Sequence, residues 1–327
     1  MNQWIVITTV YPPTEGVRRF SQLEGWRTIV VGDKKTPTGW ACEGIRFTSS
    51  KEQETMPWKI TKHLPWNHYC RKMIGYLCAM EAGAHIICDT DDDNIPMPGW
   101  GFPEFHATVQ VSAPGKNFIN IYKHFSDQHI WPRGFPLNHI GNPDAILFET
   151  DFRKETVRVG AWQGLVDGDP DVDAIYRLTV NAPCTFKKKD PVVLDMGTVS
   201  PFNSQNTAFT RELFPLLYLP AYVTFRFTDI LRGFIAQPIM WQHRYRLGFT
   251  SATVVQKRNP HDPMKDFVSE LPCYLHAERI VDIVGGVAAS GNSVAENLFS
   301  AYEHLHRQGI VEKRELDLLE AWLKDIG

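Results

Sequence analysis

Apolar and polar positions alternate in blocks over the first ninety residues. Trp4-Ile5-Val6-Ile7-Thr8-Thr9-Val10 is an apolar run closed by Tyr11-Pro12-Pro13. It predicts a strand that stops where two prolines remove backbone donors. Residues 17–23 have helical spacing, and residues 26–33 form a second apolar run ending in Gly32-Asp33. Strand, helix and strand with short joints predict an α/β fold with a Rossmann-type, mostly parallel sheet flanked by helices. Residues 59–83 predict the next crossover helix, stopped at Gly83. Arg71, Gly75, Cys78 and Ala79 share one face of that helix, and Lys72 points elsewhere. Ala84-His85-Ile86-Ile87-Cys88 then reads as a strand buried on both faces.

The pattern is less regular afterwards. Residues 117–122 predict a strand. Residues 157–166 run into a turn carrying Asp167, Asp169, Asp171 and Asp173, which Gly168 and Pro170 mark as a solvated loop. Residues 203–209 are polar between apolar segments, and their amides and hydroxyls suit either backbone partners or a polyhydroxylated ligand. An apolar helix over 230–240 follows, with Thr228 or Asp229 as its N-cap, and then a strand over 248–256. From Val268 onward the signal is helical. Leu298, Tyr302 and Leu305, then Leu316, Leu319, Trp322 and Leu323, recur at helical spacing, after a break expected at Gly285-Gly286. The division expected is a main domain over 1–265 and a helical extension over 266–327, packed on the main domain or on a second copy in a homo-oligomer.

Composition narrows the partners. The chain has 327 residues, 43% of them hydrophobic, which allows a sizeable core. A net charge of −3, with no basic run longer than Lys187-Lys188-Lys189, argues against nucleic acid as a partner. Six scattered cysteines without a Cys-x-x-Cys pair predict free thiols in a reducing, cytoplasmic setting. The start, MNQWIVITTVYPP, lacks the basic and apolar regions of a signal peptide. No apolar stretch reaches the roughly 18 residues of a membrane span.

The candidate chemistry follows the strand at 84–88. Asp89, Asp91, Asp92 and Asp93 crowd four carboxylates into five positions. Such a group repels itself and needs a cation or open water. At the carboxyl end of a buried strand a hard divalent ion, Mn²⁺ or Mg²⁺, suits Asp91 and Asp93, and that ion can hold a diphosphate. A calcium loop of the EF-hand kind fails, because Asn94 stands where glycine is needed and Trp100 where glutamate is needed. A plain solvated acidic loop is the competing reading. Thr8, Thr9, Asp33 and Lys35 lie where neighbouring strands would present a nucleoside site, although Asp33 is equally a turn former. Arg71 suits a phosphate or the acidic turn. Arg133, inside Trp131-Pro132-Arg133-Gly134-Phe135-Pro136, sits on a stiff loop suited to a carboxylate or phosphate. Asp229 is a mere cap or a carboxylate that takes a proton from an attacking hydroxyl. His261, beside Asp262, is a third metal ligand, a phosphate contact or a surface histidine. No Walker motif, dinucleotide fingerprint, His-Glu-x-x-His or Gly-x-Ser-x-Gly is present.

The segments VITTVYPPT, WRTIVVGDKKTP, YLCAMEAGAHIICDTDDDNIP, WPRGFPL, NSQNTAF and FRFTDILRGFIAQ together resemble the STELLO family of glycosyltransferases. That resemblance implies a GT-A-like fold, a nucleotide-sugar donor, most naturally UDP-linked, and a glycan or other hydroxyl acceptor. It implies that Asp91 and Asp93 bind the metal ion, with His261 completing the site, and that Thr8, Thr9, Asp33, Lys35 and Arg71 hold the donor. A more distant likeness is to the reversibly glycosylated polypeptides, UDP-arabinopyranose mutases with a triple-Asp turn and an Arg-Gly-aromatic-Pro loop. In those proteins the loop arginine becomes sugar-linked, and Arg133 matches it. Their paired acids follow an Arg-Tyr; here Arg226-Phe227-Thr228-Asp229 keeps one acid, so Asp229 is expected to be the sole carboxylate. A nucleotide-binding scaffold without catalysis is a third reading.

Overall fold

A computed structural model describes residues 2–257 and 262–327. The chain begins β1 (Gln3–Thr9), α1 (Glu15–Phe20), β2 (Trp26–Gly32), β3 (Ile45–Thr48) and α2 (Ser50–Thr55). Two short 3₁₀ turns, Lys59–Lys62 and Tyr69–Arg71, lead into α3 (Lys72–Glu81), then β4 (Ile86–Thr90) and β5 (Asn94–Pro96). The middle holds β6 (His106–Ser112), β7 (Asn117–Phe118), α4 (Ile121–Phe125), β8 (Phe152–Asp167), α5 (Ala174–Thr179), β9 (Val192–Leu194), β10 (Thr198–Val199) and β11 (Asn206–Thr210). The last elements are α6 (Thr228–Gln242), β12 (Arg246–Gln256), α7 (Pro263–Val287), α8 (Val294–Arg307) and α9 (Lys313–Ile326).

The α/β class expected from the sequence is the one observed. Ten strands form one sheet in the order β3-β2-β1-β4-β11-β8-β6-β9-β12-β5. The pairs β2–β3, β1–β2 and β1–β4 are parallel, and β11 enters antiparallel to β4, so the sheet is mixed beyond that point. Both faces of the parallel part are covered, which is why its strands read as continuous apolar runs. Trp4, Val6, Ile29, Val31 and Ile87 pack toward α3 and the large core, while Ile5, Ile7, Val30 and Cys88 pack toward α1. Gly75 lets α3 lie directly on the sheet, because a Cβ there would stand 2.4 Å from a methyl of Val6.

Three expectations change. The crossover helix is shorter than 59–83, since Asn67 at φ 57° interrupts it and α3 begins at Lys72. The strand expected over 117–122 is only β7, after which Ile121–Phe125 coils into α4. Gly285-Gly286 does not break a helix. Helix α7 continues to Val287, and the chain turns after it.

The C-terminal helices pack onto the elements that carry the site. Helix α7 lies against α6, and α9 against the turn at Lys59–Lys62. The Asp325 carboxylate accepts the N–H groups of Lys59 and Ile60 at 2.9 and 2.8 Å. Buried Glu315 accepts the N–H groups of Ala221 and Tyr222 at 3.1 and 2.8 Å and the hydroxyl of Tyr218. Burial pushes the Glu315 carboxyl up, and those donors oppose the shift.

Candidate functional site

A cavity of about 390 Å³ opens at the carboxyl ends of β1, β2 and β4. This is where a parallel α/β sheet leaves room for a ligand, since the helices it feeds turn away from that edge. Thr8, Thr9, Asp33, Lys35, Arg71, Asp91, Asp93, Arg133 and Asp229 all line it. Of the residues singled out in the sequence, only His261 is not placed; it lies outside the described residues.

At one end the Asp33 carboxylate is fixed by its surroundings. It accepts the N–H of Lys34 at 2.6 Å and that of His68 at 3.3 Å, and Thr36 closes the turn by donating to the Thr9 carbonyl at 2.7 Å. The His68 Nδ1 accepts the N–H of Cys70 at 3.1 Å, so the ring carries its proton on Nε2. Burial lowers His68 to about 4, against the pull of Asp33, and keeps it neutral. Arg71 turns its guanidinium inward, with Nε donating to Gln53 at 2.7 Å, Nη1 donating to the Leu64 carbonyl at 3.2 Å, and the group stacked over Trp66.

The acidic turn forms the floor. Two buried cations sit under Asp89. The Lys72 Nζ donates to Asp89 Oδ1 at 2.7 Å, to the Thr90 carbonyl at 3.0 Å and to Asp91 Oδ1 at 3.1 Å. Arg232 Nη1 donates to the other Asp89 oxygen at 2.7 Å. Lys72 does point elsewhere than Arg71, but into the acidic turn, a destination its spacing does not show. Every residue from Lys72 to Ala79 is buried, so the periodicity gave no face to choose. Thr9 donates to Asp92 Oδ2 at 2.5 Å, and Gln256 Nε2 donates to Asp93 Oδ1 at 2.9 Å. Burial raises Asp91 to about 7, opposed by Lys72 and reinforced by Asp93 and Asp89. The Asp91 side chain remains 39% exposed, so contact with water moderates that push. Burial also raises Asp92 to about 6, opposed by Thr9.

Arg133 occupies the far wall, 5% exposed. Its Nε and Nη2 hold Asp171 at 2.8 and 2.6 Å, and Nη2 also reaches both oxygens of Asp229 at 3.0 and 3.1 Å. The Arg226 carbonyl accepts from Nη1. These carboxylates raise Arg133 against the opposing effect of burial. Asp229 is not the N-cap of α6, a position held by Phe227; its carboxylate faces the cavity and accepts from the Ser204 N–H at 3.1 Å and Oγ at 3.2 Å. Two sequence expectations fail here. The turn at 167–173 is not a solvated loop, because Asp171 and Asp173 are buried. Nor is Asp229 the sole carboxylate at Arg133, because Asp171 supplies a second. The alternation of acids with Gly168 and Pro170 resembles any surface turn, and only the fold brings Asp171 to an arginine 38 positions away.

No group of three or more His, Cys, Asp or Glu side chains that could hold a metal ion occurs among the described residues. Asp91 and Asp93 nonetheless fit a hard cation of the kind held by one or two carboxylates together with substrate phosphates. No helix among the described residues is long and apolar enough to cross a membrane.

The family model for STELLO glycosyltransferases matches residues 226–327. Two Arabidopsis thaliana proteins, "Probable glycosyltransferase STELLO1" and "Probable glycosyltransferase STELLO2", are 27% and 28% identical over 99% of this chain. The chain spans 44% of the length of each. Among solved structures, glucosyl-3-phosphoglycerate synthase of M. tuberculosis is similar at a TM-score of 0.34 and 10% identity, over 86% of this chain and 78% of that one. The chain is similar to the STELLO glycosyltransferases, as the sequence segments implied.

Proposed function

We propose that the chain is a glycosyltransferase that moves a sugar from a nucleotide-sugar donor, UDP-linked, to a hydroxyl acceptor such as a glycan. The observation that carries the reading is the meeting, in one cavity, of the acidic turn and the Arg133–Asp229 pair at the carboxyl ends of the parallel strands. Thr8, Thr9, Asp33 and Lys35 would hold the nucleoside, and Asp33 is already oriented by two backbone N–H groups. Asp91 and Asp93 would hold Mn²⁺ or Mg²⁺, whose chemistry there is to neutralise the diphosphate as it leaves. Arg71, bound on its inner side, keeps the wall in place. Arg133 fixes the Asp229 carboxylate, which accepts a hydrogen bond from the acceptor hydroxyl and can take up its proton. Titration calorimetry of UDP with and without Mn²⁺ tests this, followed by sugar transfer across a donor panel. UDP binding that ignores Mn²⁺ and survives Asp91→Asn with Asp93→Asn would refute the metal-dependent reading. Binding without any transfer would leave a scaffold.

A second reading has one observation in its favour. Arg133 lies between two carboxylates, Asp171 and Asp229, either of which could accept a proton if a guanidinium nitrogen displaced UDP from the sugar. Intact mass after incubation with UDP-sugars decides it: a persistent hexose or pentose adduct, lost in Arg133→Ala, marks self-glycosylation or a mutase. The six unpaired cysteines suit the cytoplasm. Exposed Met264, Val268, Leu271 and Leu275 follow a seam-like spacing on the outer side of α7 and support contact with a second copy, which light scattering would detect.

A further inference from the structure

The acidic turn carries a resident cation of its own. Lys72 is completely buried at the start of α3, with its ammonium beneath the turn. It is not needed to neutralise Asp89 alone, because Arg232 already pairs with that carboxylate at 2.7 Å. Its third bond, to Asp91 Oδ1 at 3.1 Å, engages one of the two oxygens that Asp91 could offer to a ligand. The neighbouring acids are similarly engaged. Thr9 holds one oxygen of Asp92, and Gln256 holds one oxygen of Asp93.

Resting on the donor reading above, we propose that Lys72 is a positioning residue that makes Asp91 a one-oxygen ligand and repels a divalent ion arriving alone. The turn then takes up the ion tightly only together with a diphosphate. A hard dication seeks six or more oxygens, and a carboxylate with one oxygen held by a fixed ammonium is a poor ligand for it. The diphosphate brings both the missing oxygens and the negative charge that offsets Lys72. Cation and nucleotide are therefore coupled, each improving the other's binding by the same factor.

The test is a titration of Mn²⁺ alone, followed by electron paramagnetic resonance, into the full chain and into Lys72→Met and Lys72→Gln. The glutamine variant keeps a donor toward Asp91 and drops the charge. In the unmodified chain Mn²⁺ binds weakly, and UDP tightens it by between about 5- and 150-fold, the usual range of site-to-site coupling. In the variants Mn²⁺ alone binds about tenfold tighter, because a nearby positive charge is gone. A Lys72 that merely props up the fold gives the opposite sign, with weaker Mn²⁺ binding alongside a lower melting temperature. That result overturns the proposal. So does tight Mn²⁺ binding by the unmodified chain without nucleotide, which decides the matter even if neither variant folds. If UDP binds under no condition, the donor reading and the coupling fall together. Tighter binding of Mn²⁺ alone by the variants would still establish the repulsion by Lys72.

Discussion

Replacing Arg133 by methionine removes the cation that two buried carboxylates share. The side chain keeps its length and loses five contacts: two bonds to Asp171, two to Asp229 and one to the Arg226 carbonyl. Breaking one side of a buried ion pair costs about 3–5 kcal/mol, since the charge left behind stays desolvated. The structure argues for the lower end. Arg226 still stands 3.6 Å from Asp171, and Ser204 still donates twice to Asp229. At about 2.1 cal/mol/K of unfolding entropy per residue, a chain of 327 residues loses about one degree of melting temperature per 0.7 kcal/mol. Arg133→Met should therefore melt about 4–5 °C below the unmodified protein at pH 8. The deficit should also shrink on acidification. A carboxylate deprived of its cation has a raised pKa in the folded state, so the folded variant gains protons, and hence stability, as pH falls through that value. Scanning calorimetry of both proteins from pH 8 to pH 5 measures the gap. Melting within a degree of the unmodified protein at pH 8, or a gap that widens toward pH 5, would refute the reasoning.

Three further outcomes follow from other contacts. In Gly16→Ala the new Cβ would stand 1.9 Å from the Asn94 carbonyl, a backbone atom that cannot swing aside, so α1 and the acidic turn must separate; we expect a loss of about 1–3 kcal/mol in chemical denaturation and weaker UDP–Mn²⁺ binding. Asp91→Asn isolates the raised carboxyl: its pKa lies near 7 in the fold and near the ordinary value when unfolded, so its cost to stability builds up as pH rises from the ordinary carboxyl range to about 7 and is constant above that. The variant should melt above the unmodified protein at pH 8, by a modest amount given the solvent contact, with a smaller gap at pH 5 that closes only as pH falls into the ordinary carboxyl range, and a gap of the opposite sign sinks the assignment. Glu315→Ala strips the acceptor from two backbone N–H groups and a tyrosine, and should cost about 2–4 kcal/mol by urea denaturation; a loss under half a kcal/mol would show that α9 is held by its apolar face alone.

Much of the fold was legible because the parallel strands are buried on both faces. Trp4 to Ile7 and Ile29 to Val31 are unbroken apolar runs, and the strands that hold them lead to a proline pair and to a Gly-Asp turn that mark the ligand edge. The acidic turn stood out for an electrostatic reason: four carboxylates in five positions repel one another, and in the fold buried Lys72 and Arg232 offset part of that charge. What escaped was whatever depends on contacts distant in sequence. Asp171 looks like a surface acid until β8 carries it beside Arg133. Nothing in the spacing tells where Lys72 goes until one sees that residues 72–79 of α3 are all buried. The extent of α4 was hidden because Ile119 and Ile121 satisfy strand alternation equally well.

Helix α9 grips the cavity from behind at two points one helix-length apart. Asp325 holds the segment that leads to His68 and Tyr69, and Glu315 holds the segment that leads to Phe225 and Asp229. Both segments line the cavity, and Tyr69 and Phe225 meet there edge to face, with ring centroids 4.7 Å apart. The placement of Tyr69 and Phe225 at the cavity is thus tied to one helix that does not line it. A truncation, a fused tag or a binding partner that pulled on the final turn would reshape the entrance without touching any residue inside it.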